Sequence, residues 1–189
     1  MPPRARRSPE VSDSDTVLVA RVVAIDDRGA FELLVRRHQS GVRNFLRRLA
    51  RNDVERANDL AQETFIKMYA GLHSYRGAAR FSTWLFRIAY HTFLNDERGR
   101  RTNVEFSEDE HAGSEDTAAA VATALDVDRA LERLPVRQRA VFDLHYKKGM
   151  THSEIADALE LPIGTVKSDL VRGHEKLKEW LTGGNNDQA

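Results

Sequence analysis

From Val54 to Leu72 the apolar residues recur at a helical interval. Ala57, Leu60, Ala61, Thr64, Phe65, Met68 and Leu72 fall within one arc at about 100° per residue, the stripe of a helix that packs against a core. The opposite arc holds Glu55, Asp59, Gln62, Glu63 and Ile66. An isoleucine among carboxylates and an amide suits a docking face for a partner helix, with an apolar anchor and flanking acceptors. The same arc also fits a solvated acidic face with one stray Ile, and periodicity does not separate the two.

A basic and aromatic loop follows, His73 to Phe81, and then a second helix from Ser82 to about Arg101. Six of the fourteen aromatic residues of the chain are Tyr75, Phe81, Trp84, Phe86, Tyr90 and Phe93, which concentrates them here. Arg76, Arg80, Arg87, Arg98, Arg100 and Arg101 are interleaved with them or follow. Aromatic faces beside guanidinium groups suit unstacked bases and their phosphates, at about 1–3 kcal/mol per stacked base. Trp84, Leu85 and Ile88 recur at helical spacing and read as core. Phe81 before a Ser82 N-cap could staple to Phe86 and fix the exit of the loop. Tyr75, Arg76, Arg80, Tyr90 and the three terminal arginines are then the better candidates for contact.

These residues resemble a known family. Asp59-Leu60-Ala61-Gln62-Glu63-Thr64-Phe65, then Tyr75-Arg76-Gly77, then Phe81-Ser82-Thr83-Trp84-Leu85-Phe86-Arg87-Ile88-Ala89 are similar to region two of the extracytoplasmic-function (ECF) group of bacterial RNA polymerase sigma factors. The similarity extends from about Asp15 to Leu181. It implies that Glu55, Asp59, Gln62, Glu63 and Ile66 dock on the coiled coil of the polymerase β′ subunit. It also implies that the loop of Tyr75, Arg76, Gly77, Arg80 and Phe81 captures an unstacked base of the minus-ten promoter element, and that an anti-sigma factor is a partner.

Composition fits such a role without proving it. The 189 residues are 41% hydrophobic, enough for one ordinary core or two small ones. Lysine plus arginine equals aspartate plus glutamate, so the formal net charge is zero, whereas a free-standing DNA binder is usually basic. Local potential, not the sum, attracts a phosphate backbone, and charge here is segregated. The absence of cysteine removes disulfides, thiol switching and cysteine zinc sites. No apolar run approaches the roughly 18 residues of a membrane span, and no signal peptide is recognisable, so a cytoplasmic protein without membrane insertion is expected.

In chain order, residues 1–15 read as a disordered basic arm rich in Pro, Arg and Ser. A short helix from about Thr16 to Ile25 precedes a longer one from Ala30 to Ala50, whose stripe is Phe31, Leu34, Val35, His38, Val42, Phe45, Leu46 and Leu49. His38 on that stripe reads as a core or boundary histidine, not a ligand. These helices close a first domain, 16–101. Residues 102–126, with Glu105, Glu108, Asp109, Glu110, Glu115 and Asp116, read as a flexible acidic linker. The resemblance implies that it threads toward the active-site cleft and RNA exit path of polymerase.

The second domain, 127–182, opens with a helix ending before Pro135, continues with Val141, Phe142, Leu144 and Tyr146, and stops at Lys148-Gly149. Thr151-His152-Ser153-Glu154 fits a capping box, Glu160-Leu161-Pro162 a turn, and Ile163 to Leu181 a final helix. Short helix, tight turn and longer helix make a helix-turn-helix, whose second helix enters a major groove. With Val166 inward, Gly164, Thr165, Ser168 and Arg172 point out and Lys167 and Lys176 flank them. These would meet bases and phosphates of a minus-thirty-five element, with Arg137 and Arg139 as phosphate clamps. The run Gly164-Thr165-Val166-Lys167-Ser168 also resembles region four of the same sigma group. Residues 183–189 read as a disordered tail.

Five positions depart from the family pattern, and two of them, His91 and Asn95, replace an Asn and an Asp often found after the minus-ten loop. Arg56 and Asn58 stand where acidic residues are common, which points to weakened docking or to a modification that restores negative charge. Asp169 stands where arginine is usual on the recognition helix, where a carboxylate repels phosphates unless it accepts from a cytosine amino group. The expected protein is all-α with two small helical domains, non-catalytic, and without cofactor or metal. Its expected partners are core RNA polymerase and promoter DNA. A free-standing helix-turn-helix regulator is the alternative, and it would bind DNA tightly without polymerase. The scattered histidines show no metal-protease spacing, and no phosphate loop or nucleophile elbow is present.

Overall fold

The computed structural model describes residues 13–104 and 124–182, all of whose regular elements are helices. Helix α1 is Asp15–Ile25, α2 Arg28–Leu49, α3 Val54–Gly71 and α4 Phe81–Val104, with a single 3-10 turn at Leu72–Ser74. Helix α5 is Ala124–Arg133, α6 Val136–Phe142, α7 His152–Leu159 and α8 Ile163–Thr182.

The boundaries follow from local chemistry. Ser14, Asp27 and Asp53 each sit in extended backbone and accept from an amide of the first turn, of Val17, Ala30 and Arg56 respectively. Thr151 and Glu154 form the expected capping box, each accepting from the other's amide. One expectation fails at α4. The helix begins at Phe81, so Ser82 lies inside it and cannot cap it. Phe81 packs on Tyr75, Trp84 and the His38 ring, not as a staple to Phe86. Helix α4 also continues to Val104 and α5 starts at Ala124, so helix takes up both ends of the segment expected to be linker. Its acidic part, like the basic arm up to residue 12 and the tail from residue 183, lies outside the described residues.

In the first half α2 packs on α1, α3 and α4, burying Leu34, Val42, Phe45 and Leu46 of α2 with Leu60 and Met68 of α3 and Leu85 and Phe93 of α4. His38 is mostly buried, as its place on the stripe suggested, with Nε2 2.9 Å from Oδ2 of Asp15. Burial, opposed by Asp15, holds its pKa below the ordinary histidine value. In the second half α8 packs on α5, α6 and α7 around Val141, Leu144, Ile155 and Val166. After Phe142 the helix widens into a π turn, Asp143–Lys147, before Gly149 reverses the chain at φ +65°.

The two halves touch. Helix α7 lies along α4 and α6 meets the end of α2. Arg87 of α4 donates from Nε and Nη2 to the carbonyl oxygen of Asp157, at 2.9 and 2.7 Å, where α7 ends. His91 faces Glu160 at 3.1 Å. Arg48 of α2 pairs with the buried Asp143, whose carboxyl is pushed up by burial against the opposing pull of Arg48.

Candidate functional site

Three surfaces carry the residues singled out above. On α3, Glu55, Asp59, Gln62, Glu63 and Ile66 are all exposed, and Ile66 keeps 61% of its surface in solvent. Beside them a groove of about 560 Å³ runs between α2 and α3. Its α3 wall includes Asn58, Asp59, Gln62, Ile66 and Tyr69, and its α2 wall is Phe31, Val35, Gln39 and Arg43. The α2 wall was missed by sequence reasoning, which placed Phe31 and Val35 in the core. The signal was present: positions 31, 35, 39 and 43 make one ridge of successive helical turns that mixes ring, aliphatic, amide and guanidinium. An apolar floor with acceptors and one cation at its edges is shaped for an amphipathic helix.

Arg56 does not belong to this surface. It turns the other way, donating from Nε to Oδ2 of Asp96 at 2.8 Å and from Nη2 to Glu97, with its guanidinium 5.1 Å from the centre of the Phe93 ring. The missing acid at that position is therefore replaced by a tie between α3 and α4. Asn58, in contrast, is exposed in the groove.

The loop before α4 is supported by rings. Tyr75 is half-buried, with its ring edge on Phe81 and its hydroxyl donating to the oxygen of Ala79 at 2.8 Å. Arg76, Gly77 and Arg80 are exposed, and Gly77 has φ +72°, a conformation that favours glycine. Phe81 is only 3% exposed, so it is a prop for the loop and not a face for a base. Tyr90 is also withdrawn: it is 5% exposed beneath the second half, and burial raises its pKa. Arg98, Arg100 and Arg101 are exposed along the last turns of α4. Arg80 reaches Glu154 of α7 at 3.4 Å.

On α8, Gly164, Lys167 and Arg172 are exposed, and Thr165, Ser168 and Lys176 are half-exposed. Arg137 is exposed at the start of α6, but Arg139 is 2% exposed and donates to the main-chain oxygens of Arg48, Leu49 and Leu134. It binds the end of a helix and has no access to a phosphate. Asp169 is fully buried, so its oxygens cannot meet a cytosine amino group, and its charge is partnered within the protein. Its position one turn from Thr165 gave no sign of this, because its partners come from α6.

Family models for "Sigma-70 region 2" and "Sigma-70, region 4" match residues 34–102 and 124–177. The chain is 34% identical over 184 residues to the RNA polymerase sigma-H factor of Pseudomonas aeruginosa, covering 89% of this chain and 94% of that one. It belongs to the ECF sigma factors. The ECF RNA polymerase sigma-E factor of Escherichia coli K12 is 35% identical over 180 residues, covering 87% of this chain and 92% of that one. Among solved structures, the sigma factor RpoE in complex with the anti-sigma factor NepR from Bartonella quintana superposes with a TM-score of 0.68 at 26% identity, over 80% of this chain and 96% of that one. CnrH in complex with the cytosolic domain of CnrY gives 0.67 at 25% identity, over 90% and 99%.

Both regions of this ECF sigma factor lie on the surfaces just described. The region two match takes in the aromatic loop and, apart from Phe31, the α2–α3 groove, and the region four match runs from the start of α5 into α8. A sigma factor is a regulatory protein, not a catalyst, and membership sets aside the free-standing regulator. Among the described residues no helix is long and apolar enough to cross a membrane.

Proposed function

We propose that this ECF sigma factor docks on a helical element of core RNA polymerase, the β′ coiled coil, through the α2–α3 groove and the exposed face of α3. Asp59, Gln62 and Glu63 supply acceptors and Ile66 the apolar anchor, with Glu55 at the N-terminal end of the same face. The groove carries this reading, because a solvated acidic face has no need of a flanking apolar channel.

Two DNA contacts complete the proposal. Helix α8 reads the minus-thirty-five duplex through Thr165, Lys167 and Ser168, with Arg172, Lys176 and Arg137 on phosphates. The loop of Tyr75, Arg76, Gly77 and Arg80 traps an unstacked minus-ten base, while Arg98, Arg100 and Arg101 follow the backbone. Unstacking a base costs a few kcal/mol, and stacking plus charge at the loop offset it. The protein acts in the cytoplasm with polymerase, and an anti-sigma factor that covers the docking groove would silence it.

A pull-down of purified core polymerase tests the docking face. The wild-type chain is expected to capture the enzyme and the Gln62→Ala, Glu63→Ala, Ile66→Ala variant to lose it. Equal capture by the folded variant would overturn the assignment.

A further inference from the structure

Asp169 sits on the recognition helix and yet faces inward, with no exposed surface. Its carboxylate is shared by two helices. Oδ2 accepts from Nε of Arg137 at 2.7 Å, and Oδ1 accepts from Nη2 of the same arginine at 3.2 Å. Oδ1 also accepts from Nη2 of Arg172 at 3.4 Å and from the side-chain amide of Gln138 at 3.5 Å. Arg172 is steadied from a second side, since its Nη2 donates to Oγ of Ser168 at 3.0 Å and that hydroxyl donates to the oxygen of Thr165.

One buried anion therefore gathers two cations that stay in solvent: the side chains of Arg137 and Arg172 are 48% and 57% exposed. A buried carboxylate needs a cation and further donors for its remaining lone pairs, and here Arg137, Arg172 and the Gln138 amide share that role. Arg137 arrives from α6 and Arg172 from α8, and their Nη2 atoms converge on the same oxygen, which sets the two guanidinium groups side by side. Each holds Asp169 by part of its fork and keeps donors for another acceptor. Paired planar forks of this kind match the oxygens of a phosphate.

We infer that Asp169 is a positioning residue for promoter recognition: it holds Arg137 and Arg172 together as a two-armed clamp on the DNA backbone where α8 enters the groove. The inference rests on the reading of α8 as the recognition helix. It explains how a carboxylate stands on a DNA-facing helix without opposing the phosphates. It also assigns Arg137 a partner in register with α8, so that the clamp fixes the depth and orientation at which Thr165, Lys167 and Ser168 meet base edges.

Charge and positioning predict opposite signs. Asp169→Asn removes one negative charge beside the DNA, so electrostatics alone would tighten binding to every sequence. Loss of the clamp weakens binding to the preferred sequence and leaves non-specific binding equal or stronger.

The test uses holoenzyme assembled from core polymerase and the full chain. The probes are a duplex that wild-type holoenzyme selects from a library randomised over the minus-thirty-five region, and the same duplex with that region scrambled. Asp169→Asn is expected to lower the ratio of the two affinities by about five- to tenfold, and Arg137→Ala to matter much less in that background than in the wild type. Arg137→Lys keeps the charge and loses the two-edged bond, so it serves where Asp169→Asn does not fold, with a several-fold loss of the ratio expected. A merely structural Asp169 would lower the thermal midpoint, leave the ratio intact and give additive effects, and that result would overturn the inference alone. A wild-type holoenzyme without upstream preference would overturn the recognition-helix reading and the clamp with it.

Discussion

Arg139 of α6 donates from Nη1 to the main-chain oxygen of Arg48 at 2.9 Å, so a guanidinium of the region four half closes the carbonyl end of a region two helix. The same nitrogen reaches Leu49 at 3.3 Å, and Nη2 returns to Leu134. Burial lowers the pKa of this arginine, yet the carbonyl oxygens at the end of α2 are the natural partners of a cation. Arg139→Ala is expected to remove about 1.5–3 kcal/mol, the scale of hydrogen bonds from a charged donor, and to loosen the halves from each other. Urea unfolding and small-angle scattering of the free chain check both parts; a variant as stable and compact as the wild type would contradict them.

Much of this architecture was legible from period and punctuation. The stripes of α2 and α3, the capping box at Thr151 and the turn before α8 rest on interactions within a few residues, which a sequence displays directly. What was not legible is long-range. Nothing near Arg139 announces that its partners are the oxygens of Arg48 and Leu49, so it read as a phosphate clamp. Arg56, Tyr90 and Asp169 escaped for the same reason: the groups that withdraw them from solvent come from other helices. The groove proposed as a docking face was half legible, because the exposed arc of α3 stands out by its own chemistry, while the α2 wall hid inside an ordinary core stripe.

Arg56 and Asn58 separate two explanations of the missing acids on α3. Arg56→Glu would set a third carboxylate against Asp96 and Glu97 and remove the cation from the Phe93 ring. It is expected to cost about 1.5–3 kcal/mol of stability and to give no gain in polymerase binding. Asn58→Asp adds an acceptor in the groove and is expected to strengthen binding a few-fold. Anisotropy titrations of labelled variants with core polymerase check the pair, and tighter binding by Arg56→Glu would restore the docking role of that position.

Gly173 shows how closely α8 and α6 are fitted. A Cβ at this position would lie 2.3 Å from Cε2 and 2.8 Å from Cζ of the buried Phe142. Alanine gains about 1 kcal/mol in helix propensity but forces the ring aside, a strain of about 1–3 kcal/mol. Gly173→Ala should therefore lower the thermal midpoint, and an unchanged or raised midpoint would show that the ring yields freely.

Two carboxylates of the second half should give pH dependences of opposite sign. The Thr151 amide, the Thr151 hydroxyl and Arg80 hold the Glu154 carboxyl below its ordinary range. Its contribution is present at neutral pH and is lost as pH falls through the unfolded and then the folded pKa. Asp143 is raised by burial, so its contribution is full in acid and is lost as pH rises through the folded value. Relative to Glu154→Gln, the wild type should lose stability as pH falls below about 5; relative to Asp143→Asn it should gain as pH falls from neutral into acid. Unfolding free energies of the three proteins across that range decide it, and parallel curves would contradict both assignments.

The contact between the halves cannot survive promoter recognition as proposed here. Two elements about 25 base pairs apart, at about 3.4 Å per pair, are separated by roughly 85 Å. A compact body of this length has a radius of gyration of about 16 Å, far too small to reach both. The covalent chain between Val104 and Ala124 extends to at most about 70 Å, enough to let the halves part once each is also allowed its own width. In the closed arrangement Arg80, Arg87 and His91 face Glu154, the Asp157 carbonyl and Glu160, so α7 occupies the side of α4 next to the minus-ten loop. On the proposed reading, opening releases this side of α4 for DNA as it sets α8 at its own element. The chain has no cysteine, so labels can be placed at will. With dyes at Asn44→Cys and Glu179→Cys, both exposed, energy transfer is expected to be high in the free protein and to collapse when core polymerase and promoter DNA are added. Glu160→Arg, which turns attraction to Arg87 and His91 into repulsion, should lower the transfer in the free protein and raise its affinity for single-stranded DNA. Transfer that stays high in the promoter complex would mean that the halves remain joined and that α8 and the loop do not read two separate elements at once.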